Sequence, residues 1–449
     1  MQIVQLTPGT GNFHCGTCLR DHAMVTALRK LGHSTLMVPL YLPFVTDGHG
    51  AGADSPIFYG GLNVYLEQKA ALFRHTPRWL DKLFNATWLL RWMARFAGST
   101  KATLLGDMTI SMLRGEEGRQ AKELEKLIDW LQTQPVERRP QAFCLSNAML
   151  IGMARRLKQA FGVPVVCMLQ AEDVFMDALP SPQREQAWAL AVERARDVDA
   201  FVAVSKYYGD VMKQRLHLRD DQLHIIHNGI DLTEFNIKDK LAERNESPTK
   251  PTLSERGSAT KTLGFLARMI PGKGLHLLID AFIELKNRNR IPNLRLRLAG
   301  SKTQAEERFV REQQHKLAAA GLTDCVDWLF NVTLEEKVRF LHTLDVLSVP
   351  TTYAESFGLY VLEAWAAGVP VVQPRTGAFP ELIGMTNAGV LYEPNDVASL
   401  TNALESMLLN RDEAKAMGER GRRAMIEYFS VERMARQMAA MYETLRSRG

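Results

Sequence analysis

The sequence predicts an α/β protein made of two doubly wound domains that face a cleft, and three observations predict it. The chain has 449 residues, too many for a single hydrophobic core. In each half, short runs rich in β-branched residues alternate with helical patterns. Strand, helix and strand at such spacing imply parallel sheets joined by right-handed crossovers. Between the halves, 236–261 is polar, Pro/Ser-bearing and without period, which marks a linker or surface excursion.

In chain order, strands are expected at 3–6, 35–40, 63–66, 142–145, 163–169, 200–204 and 224–226, where apolar runs are short and bounded by turn residues. Helices are expected at 19–31, 116–132, 148–160 and 183–196, where apolar residues recur at helical spacing. After the linker the alternation restarts, with strands at 262–267, 294–299, 326–329, 346–349, 369–373 and 389–392 and helices such as 275–288 and 335–344. The domains are therefore 1–235 and 262–430, with 431–449 as a last helix. Ligands of such folds bind outside the carboxyl ends of the strands.

Hydrophobic residues at 46% and charged residues at 23% describe an ordinary globular chain. A net charge of +5 fits anionic small substrates or weak attraction to an acidic membrane. No basic tail or nucleic-acid motif accompanies it, so nucleic acid is not expected as a partner. The start, Met1-Gln2-Ile3-Val4-Gln5-Leu6, has no secretory pattern, and no apolar stretch is long enough to span a bilayer. Five cysteines, an odd number, speak for free thiols in a reducing compartment, with cytoplasm as the expected location.

The most informative stretch is Thr351-Thr352-Tyr353-Ala354-Glu355-Ser356-Phe357-Gly358-Leu359-Tyr360-Val361-Leu362-Glu363-Ala364-Trp365. From 359 to 367 nearly every residue is apolar, which predicts a buried helix. Glu363 sits in its middle, and a buried carboxylate must find a partner. Glu355 precedes the helix, and Gly358 allows a ligand close to free N–H groups at the helix start. Two carboxylates flanking an anion-binding helix start suit a ligand with a phosphate centre and hydroxyls at both ends, the anatomy of a nucleotide-sugar. Upstream, the strand at 262–267 runs into Arg268-Met269-Ile270-Pro271-Gly272-Lys273-Gly274 and a helix. A fork-shaped Arg, a point-charge Lys and two glycines outline a phosphate cradle, without the Walker pattern of a P-loop.

Arg268…Lys273 followed by Glu355-Ser356-Phe357-Gly358-Leu359…Glu363 resembles the signature of glycosyltransferase family 4, retaining enzymes of the GT-B fold in the glycogen/starch-synthase-like superfamily. Val202-Ala203-Val204-Ser205, His227-Asn228-Gly229-Ile230-Asp231, Asp345-Val346-Leu347-Ser348-Val349-Pro350 and Gly377-Ala378-Phe379-Pro380-Glu381 extend the resemblance. It implies two Rossmann-like domains, an N-terminal one on the acceptor side and a C-terminal one for the nucleotide-sugar, with the last helix packed back on the first. It implies transfer of a hexosyl group from a nucleotide-diphosphate sugar to a hydroxyl acceptor through an oxocarbenium-like state. Arg268 and Lys273 would hold the departing diphosphate, with no metal and no further cofactor. Glu355 would take hydroxyls of the transferred sugar, Glu363 the ribose, and the backbone of Phe357, Gly358 and Leu359 both sugar and phosphate.

Pro8 to Cys18 occupies the place of the family's glycine-rich loop, with Gly16 as the match facing the donor. Cys15 and Cys18 read first as small thiols, with redox or metal chemistry as the alternative. At the end of the strand at 163–169 this chain has Gln170 where many members carry His. Gln bonds hydroxyls but does not titrate, which directs attention to Glu172 and Asp173 as acceptor-side groups. The alternative for this acidic pair is a helix cap and first turn. Segment 74–96 holds Trp79, Trp88 and Trp92 among several cations. Packing on a surface helix ranks first, with an acceptor lid or a peripheral membrane patch at the inner face as alternatives. Asp197-Val198-Asp199 precedes its strand and so lies at the wrong end of the sheet for a metal site. Competing readings are an NAD-type oxidoreductase, disfavoured by the lack of a Gly-x-Gly-x-x-Gly turn, a GT-B epimerase or phosphorylase, and a non-catalytic nucleotide-sugar binder.

Overall fold

A computed structural model describes residues 1–8, 16–41, 102–235 and 260–448. The expected strand at 63–66, segment 74–96, Cys15 and nearly all of the 236–261 linker lie outside the described residues. The chain divides into two units, Met1–Gly229 with Val431–Gly449 and Ile230–Ser430.

The first unit carries parallel strands β1 (Gln2–Thr7), β2 (Ser34–Pro39), β3 (Ala142–Leu145), β4 (Val165–Leu169), β5 (Ala200–Ala203) and β6 (Leu223–Ile225), ordered β2-β1-β3-β4-β5-β6. Every residue of β1, β3, β4 and β5 is buried. A parallel sheet covered on both faces has no solvent side, so these runs show no polar alternation. Helices α1 (Gly16–Lys30), α2 (Ala102–Arg114), α3 (Ala121–Gln132), α4 (Ala154–Phe161), α5 (Glu172–Asp177), α6 (Gln183–Arg194) and α7 (Lys206–Leu216) connect them.

The stretch read as one helix at 148–160 is a 3₁₀ segment, Ala148–Met153, before α4 begins. Backbone packing is the reason. A Cβ on Gly152 would lie 2.2 Å from the Met112 carbonyl oxygen, a clearance that helical periodicity does not report.

The second unit has parallel strands β7 (Lys261–Leu266), β8 (Leu294–Gly300), β9 (Val326–Phe330), β10 (Val346–Leu347), β11 (Val371–Pro374) and β12 (Gly389–Tyr392), ordered β12-β11-β10-β7-β8-β9. Its helices are α8 (Leu275–Arg288), α9 (Glu307–Ala319), α10 (Leu334–Leu341), α11 (Leu359–Ala366), α12 (Phe379–Thr386), α13 (Val397–Leu409) and α14 (Arg411–Tyr428). In α11, Trp365 is fully buried and donates to the Ala388 carbonyl at 2.9 Å. Gly421 of α14 makes room for it, since a Cβ there would stand 2.6 Å from the indole.

The unit boundary falls after Gly229, six residues before the sequence-based limit at 235. Ile230 bridges to Ser430 and donates to the Phe429 carbonyl at 3.0 Å, and Phe235 is buried. Residues 230–235 thus join the second unit before the polar stretch begins. The last helix, α15 (Val431–Arg448), belongs to the first unit. Val431, Met434, Ala435, Met438, Ala439 and Tyr442 recur at helical spacing and join Ile3, Met24, Leu28, Val166 and Met168 in one core. Each large apolar side chain buried there contributes roughly 1.5–3 kcal/mol. Among the described residues, no helix is long and apolar enough to cross a membrane.

Candidate functional site

In a doubly wound sheet the ligand crevice opens where successive connections leave in opposite directions. In the second unit β7 continues to β8 on one side, whereas β10 lies on the other. The loops after β7 and β10 are therefore neighbours, and they carry the residues expected from sequence. Thr352 ties them together by donating its N–H to the Gly272 carbonyl at 3.0 Å. Lys273 ends the 3₁₀ turn Pro271–Lys273, and its Nζ donates to Glu355 Oε2 at 2.5 Å across 82 residues of chain. The two side chains are only 16% and 9% exposed. The Tyr360 hydroxyl donates to the same oxygen at 3.3 Å. The Lys273 ammonium lies 5.1 Å and 5.5 Å from the Tyr353 and Tyr360 ring centres, within cation–π range.

Glu355 is fixed through its backbone as well. Ala378 donates its N–H to the Glu355 carbonyl at 2.9 Å. The neighbouring Gly377, at φ 61°, passes so close that a Cβ would lie 2.4 Å from that oxygen. Gly358, at φ 87°, caps α11 without a side chain, and a Cβ there would press on Phe379 at 2.9 Å. The Phe357 ring is buried edge-on to Phe429, so only the backbone of Phe357 remains for a ligand. Leu359, Glu363 and Ala367 are each half-buried and fall at four-residue spacing, so they form one open edge of α11. This corrects the expectation of a helix buried all round. Glu363 Oε1 accepts from Lys337 Nζ of α10 at 2.5 Å, with the pair 20% and 17% exposed.

Arg268 is 54% exposed. Its Nε and Nη2 both donate to Glu306 Oε1, at 3.1 and 2.6 Å. Glu306 is in turn held by the Thr303 N–H at 2.7 Å and hydroxyl at 2.6 Å. The structure therefore joins Lys273 directly to Glu355 and gives Arg268 and Glu363 partners of their own. Sequence reasoning missed Glu306, Lys337, Tyr353 and Tyr360. The tyrosines flank the motif and were within its reach, whereas nothing in sequence links position 337 to 363.

In the first unit the direction switch lies between β1 and β3. Gly16 opens α1 there, and of the Cys15/Cys18 motif only the backbone of 16–18 is described. Asp21 of α1 pairs with Arg20 and accepts from the Ser146 hydroxyl at the end of β3 at 2.5 Å, all of them buried. Gln170 Nε2 donates to the Ser146 carbonyl at 3.1 Å. Glu172 was expected on the acceptor side, but its residue is 4% exposed. Its oxygens accept from the Ala148 N–H at 3.1 Å, the Gln170 N–H at 2.7 Å and the Tyr208 hydroxyl at 2.9 Å. It braces backbone. Asp173 Oδ1 lies 2.9 Å from the same hydroxyl, whose one proton serves only one carboxylate at a time. Ala171, between Gln170 and Glu172, sits at φ 102°, a strained position for a residue with a Cβ. Asp197 and Asp199 bond Arg155 at 3.1 Å and Lys158 at 2.7 Å at the amino end of β5. Among the described residues no three His, Cys, Asp or Glu side chains gather as metal ligands.

Residues 251–424 match the family described as Glycosyl transferases group 1, and residues 112–234 match the family described as Glycosyltransferase Family 4. The first match lies inside the second unit and the other almost wholly inside the first. The chain belongs to the family-4 glycosyltransferases. It is 30% identical over 236 residues to the D-inositol 3-phosphate glycosyltransferase of Corynebacterium jeikeium, covering 50% of this chain and 56% of that protein. It is 28% identical over 250 residues to the MMP α-(1→4)-mannosyltransferase of Mycolicibacterium hassiacum, covering 56% and 55%. The chain thus spans about half the length of these curated relatives. Anabaena HepE, solved in complex with UDP, superposes with a TM-score of 0.67 at 18% identity, covering 99% of this chain and 100% of HepE. That likeness establishes the GT-B fold.

The charged groups of the second unit shape one another. Burial works most strongly against the Lys273 ammonium, but the adjacent Glu355 carboxylate and Tyr353 together more than offset it and raise the Lys273 pKa above its ordinary value. Burial and the same carboxylate push the Tyr360 hydroxyl well above the usual tyrosine range, so it remains a donor. Burial also opposes the Glu306 charge, yet the Thr303 hydroxyl and N–H, followed by Arg268, hold its carboxyl below normal. In the first unit burial raises Glu172, offset in part by the N–H groups that it accepts from.

Proposed function

We propose that this chain is a retaining hexosyltransferase that moves a sugar from a nucleotide-diphosphate donor to a hydroxyl acceptor without a metal ion. The observation that carries the reading is the Lys273–Glu355 pair at the β7/β10 switch point, beside a glycine-started helix whose open edge holds Glu363. The family membership supports it, as does the crystallisation of HepE with UDP. Arg268 keeps part of its guanidinium free of Glu306, and the Lys273 ammonium has donors beyond the one given to Glu355. Both are positioned to hold a diphosphate. As the bond from sugar to diphosphate breaks, negative charge grows on the leaving oxygen, and two fixed cations stabilise it without reorganisation. Glu355 takes hydroxyls of the transferred sugar, Glu363 the ribose, and the Phe357–Leu359 backbone the region between them. Gly16 is assigned to the donor side of the first unit and Gln170 and Asp173 to the acceptor side, with Glu172 holding the Gln170 backbone.

The test is incubation of the protein with a panel of radiolabelled nucleotide-sugars, with and without excess EDTA. Transfer or slow hydrolysis of at least one donor, unaffected by EDTA, is expected. Saturable binding without any turnover overturns catalysis. Activity lost in EDTA and restored by manganese or magnesium overturns metal independence.

A further inference from the structure

The two carboxylate oxygens of Glu363 have different surroundings. Oε1 accepts from Lys337 at 2.5 Å, whereas Oε2 has no hydrogen-bond partner among the described residues. The partner is itself well anchored. Thr333 caps α10, and Glu336 returns to the Thr333 N–H at 2.8 Å and hydroxyl at 3.0 Å. The Lys337 N–H bonds the Thr333 carbonyl at 2.9 Å. Four-fifths of the Lys337 side chain is covered, so its stem lies against protein and the ammonium has little range.

We propose that Lys337 is a positioning residue of the donor site, holding Glu363 so that its second oxygen receives the vicinal hydroxyls of a ribose. The inference rests on the assignment of Glu363 to the ribose. A glutamate on an open helix edge samples several rotamers, and fixing one on binding costs entropy. The ion pair fixes it before the ligand arrives. One oxygen occupied by a cation leaves the other, with two lone pairs, free to accept from a diol. The consequence is selectivity for a ribonucleotide over the same nucleotide lacking its 2′ and 3′ hydroxyls, set by a residue that touches neither hydroxyl.

The experiment titrates the full chain with UDP, GDP, ADP and CDP, takes the tightest binder, and repeats the titration with its 2′,3′-dideoxy form. The wild type should favour the ribonucleotide by tenfold or more, and Glu363→Gln should abolish most of that preference. Lys337→Met should weaken the ribonucleotide about tenfold and leave the dideoxy form unchanged, with some loss of melting temperature because the largely covered Glu363 is left unpaired, while Lys337→Arg restores both the preference and the melting temperature. Lys337→Met that retains full preference, in a protein where Glu363→Gln has lost it, overturns the role of Lys337 and leaves the donor site standing. Equal weakening of both nucleotides also overturns it, since the effect is then not on the diol. A wild type that binds no nucleoside diphosphate, or binds both forms alike, refutes the ribose assignment and this inference with it.

Discussion

Breaking the Lys273–Glu355 pair should affect the fold as well as the chemistry. At 2.5 Å and an effective dielectric near 20, the gross attraction is roughly 7 kcal/mol. Desolvating two ions down to 16% and 9% exposure costs several kcal/mol each, so the intact pair is close to neutral for stability. Removing one partner leaves the cost without the attraction. Lys273→Met should destabilise the chain by roughly 3–5 kcal/mol, since Glu355 then keeps only neutral hydroxyl partners, those of Tyr360 and Tyr353. Glu355→Gln should cost less, about 2 kcal/mol, because the lysine stem can move its ammonium toward water. The double variant should then be more stable than the sum of the single losses by at least about 2 kcal/mol. Turnover should fall about 10²–10³-fold in each single variant and not multiply in the double one. Urea denaturation at pH 7 together with donor turnover measures both. Because the folded Lys273 pKa lies above its ordinary 10.5, the contribution of its charge is complete below that pH and fades as pH rises through the folded value. Additive stability losses, or Lys273→Met with full turnover, would refute the reasoning.

Glu306→Gln should lower donor affinity by loosening Arg268 and reduce stability by about 1 kcal/mol at pH 7. Since the folded Glu306 pKa is depressed below 4.5, melting curves should show that stability difference complete above pH 4.5 and shrinking as pH falls through the folded value. Gly377→Ala places a Cβ 2.4 Å from the Glu355 carbonyl oxygen at φ 61°. It should cost about 1–3 kcal/mol and raise the donor KM, and a variant with unchanged KM would show that the Glu355 backbone is not critical. Tyr208→Phe removes the hydroxyl shared by Glu172 and Asp173. A loss of about 1–2 kcal/mol is expected in thermal denaturation, and no loss would contradict the bracing role of Glu172.

Local and covalent features were legible before any folding was considered. A short apolar run such as Val165-Val166-Cys167-Met168-Leu169, set between two helical patterns, reads as a strand covered on both faces. A strand that runs straight into Arg268…Lys273-Gly274 and a helix places its cations at the carboxyl end of that strand. Glu355, Gly358 and Glu363 were likewise legible from their spacing around one helix start. Which of these groups meet depends on the fold. Lys273 reaches Glu355 because β7 lies beside β10, although 82 residues separate the two side chains. Glu306, Lys337 and Tyr208 give no sequence signal, since each becomes a partner only through a neighbouring element. The same holds for the 3₁₀ segment at 148–153 and the unit boundary at 229. Backbone clearance against Met112 shapes the first, and the Ile230–Ser430 bridge fixes the second. Chain spacing dictates which side chains leave the end of a strand, but hydrogen bonds and ion pairs act over only a few ångströms. Whether two such ends come that close is set by strand order and helix packing, which are long-range properties of the folded chain.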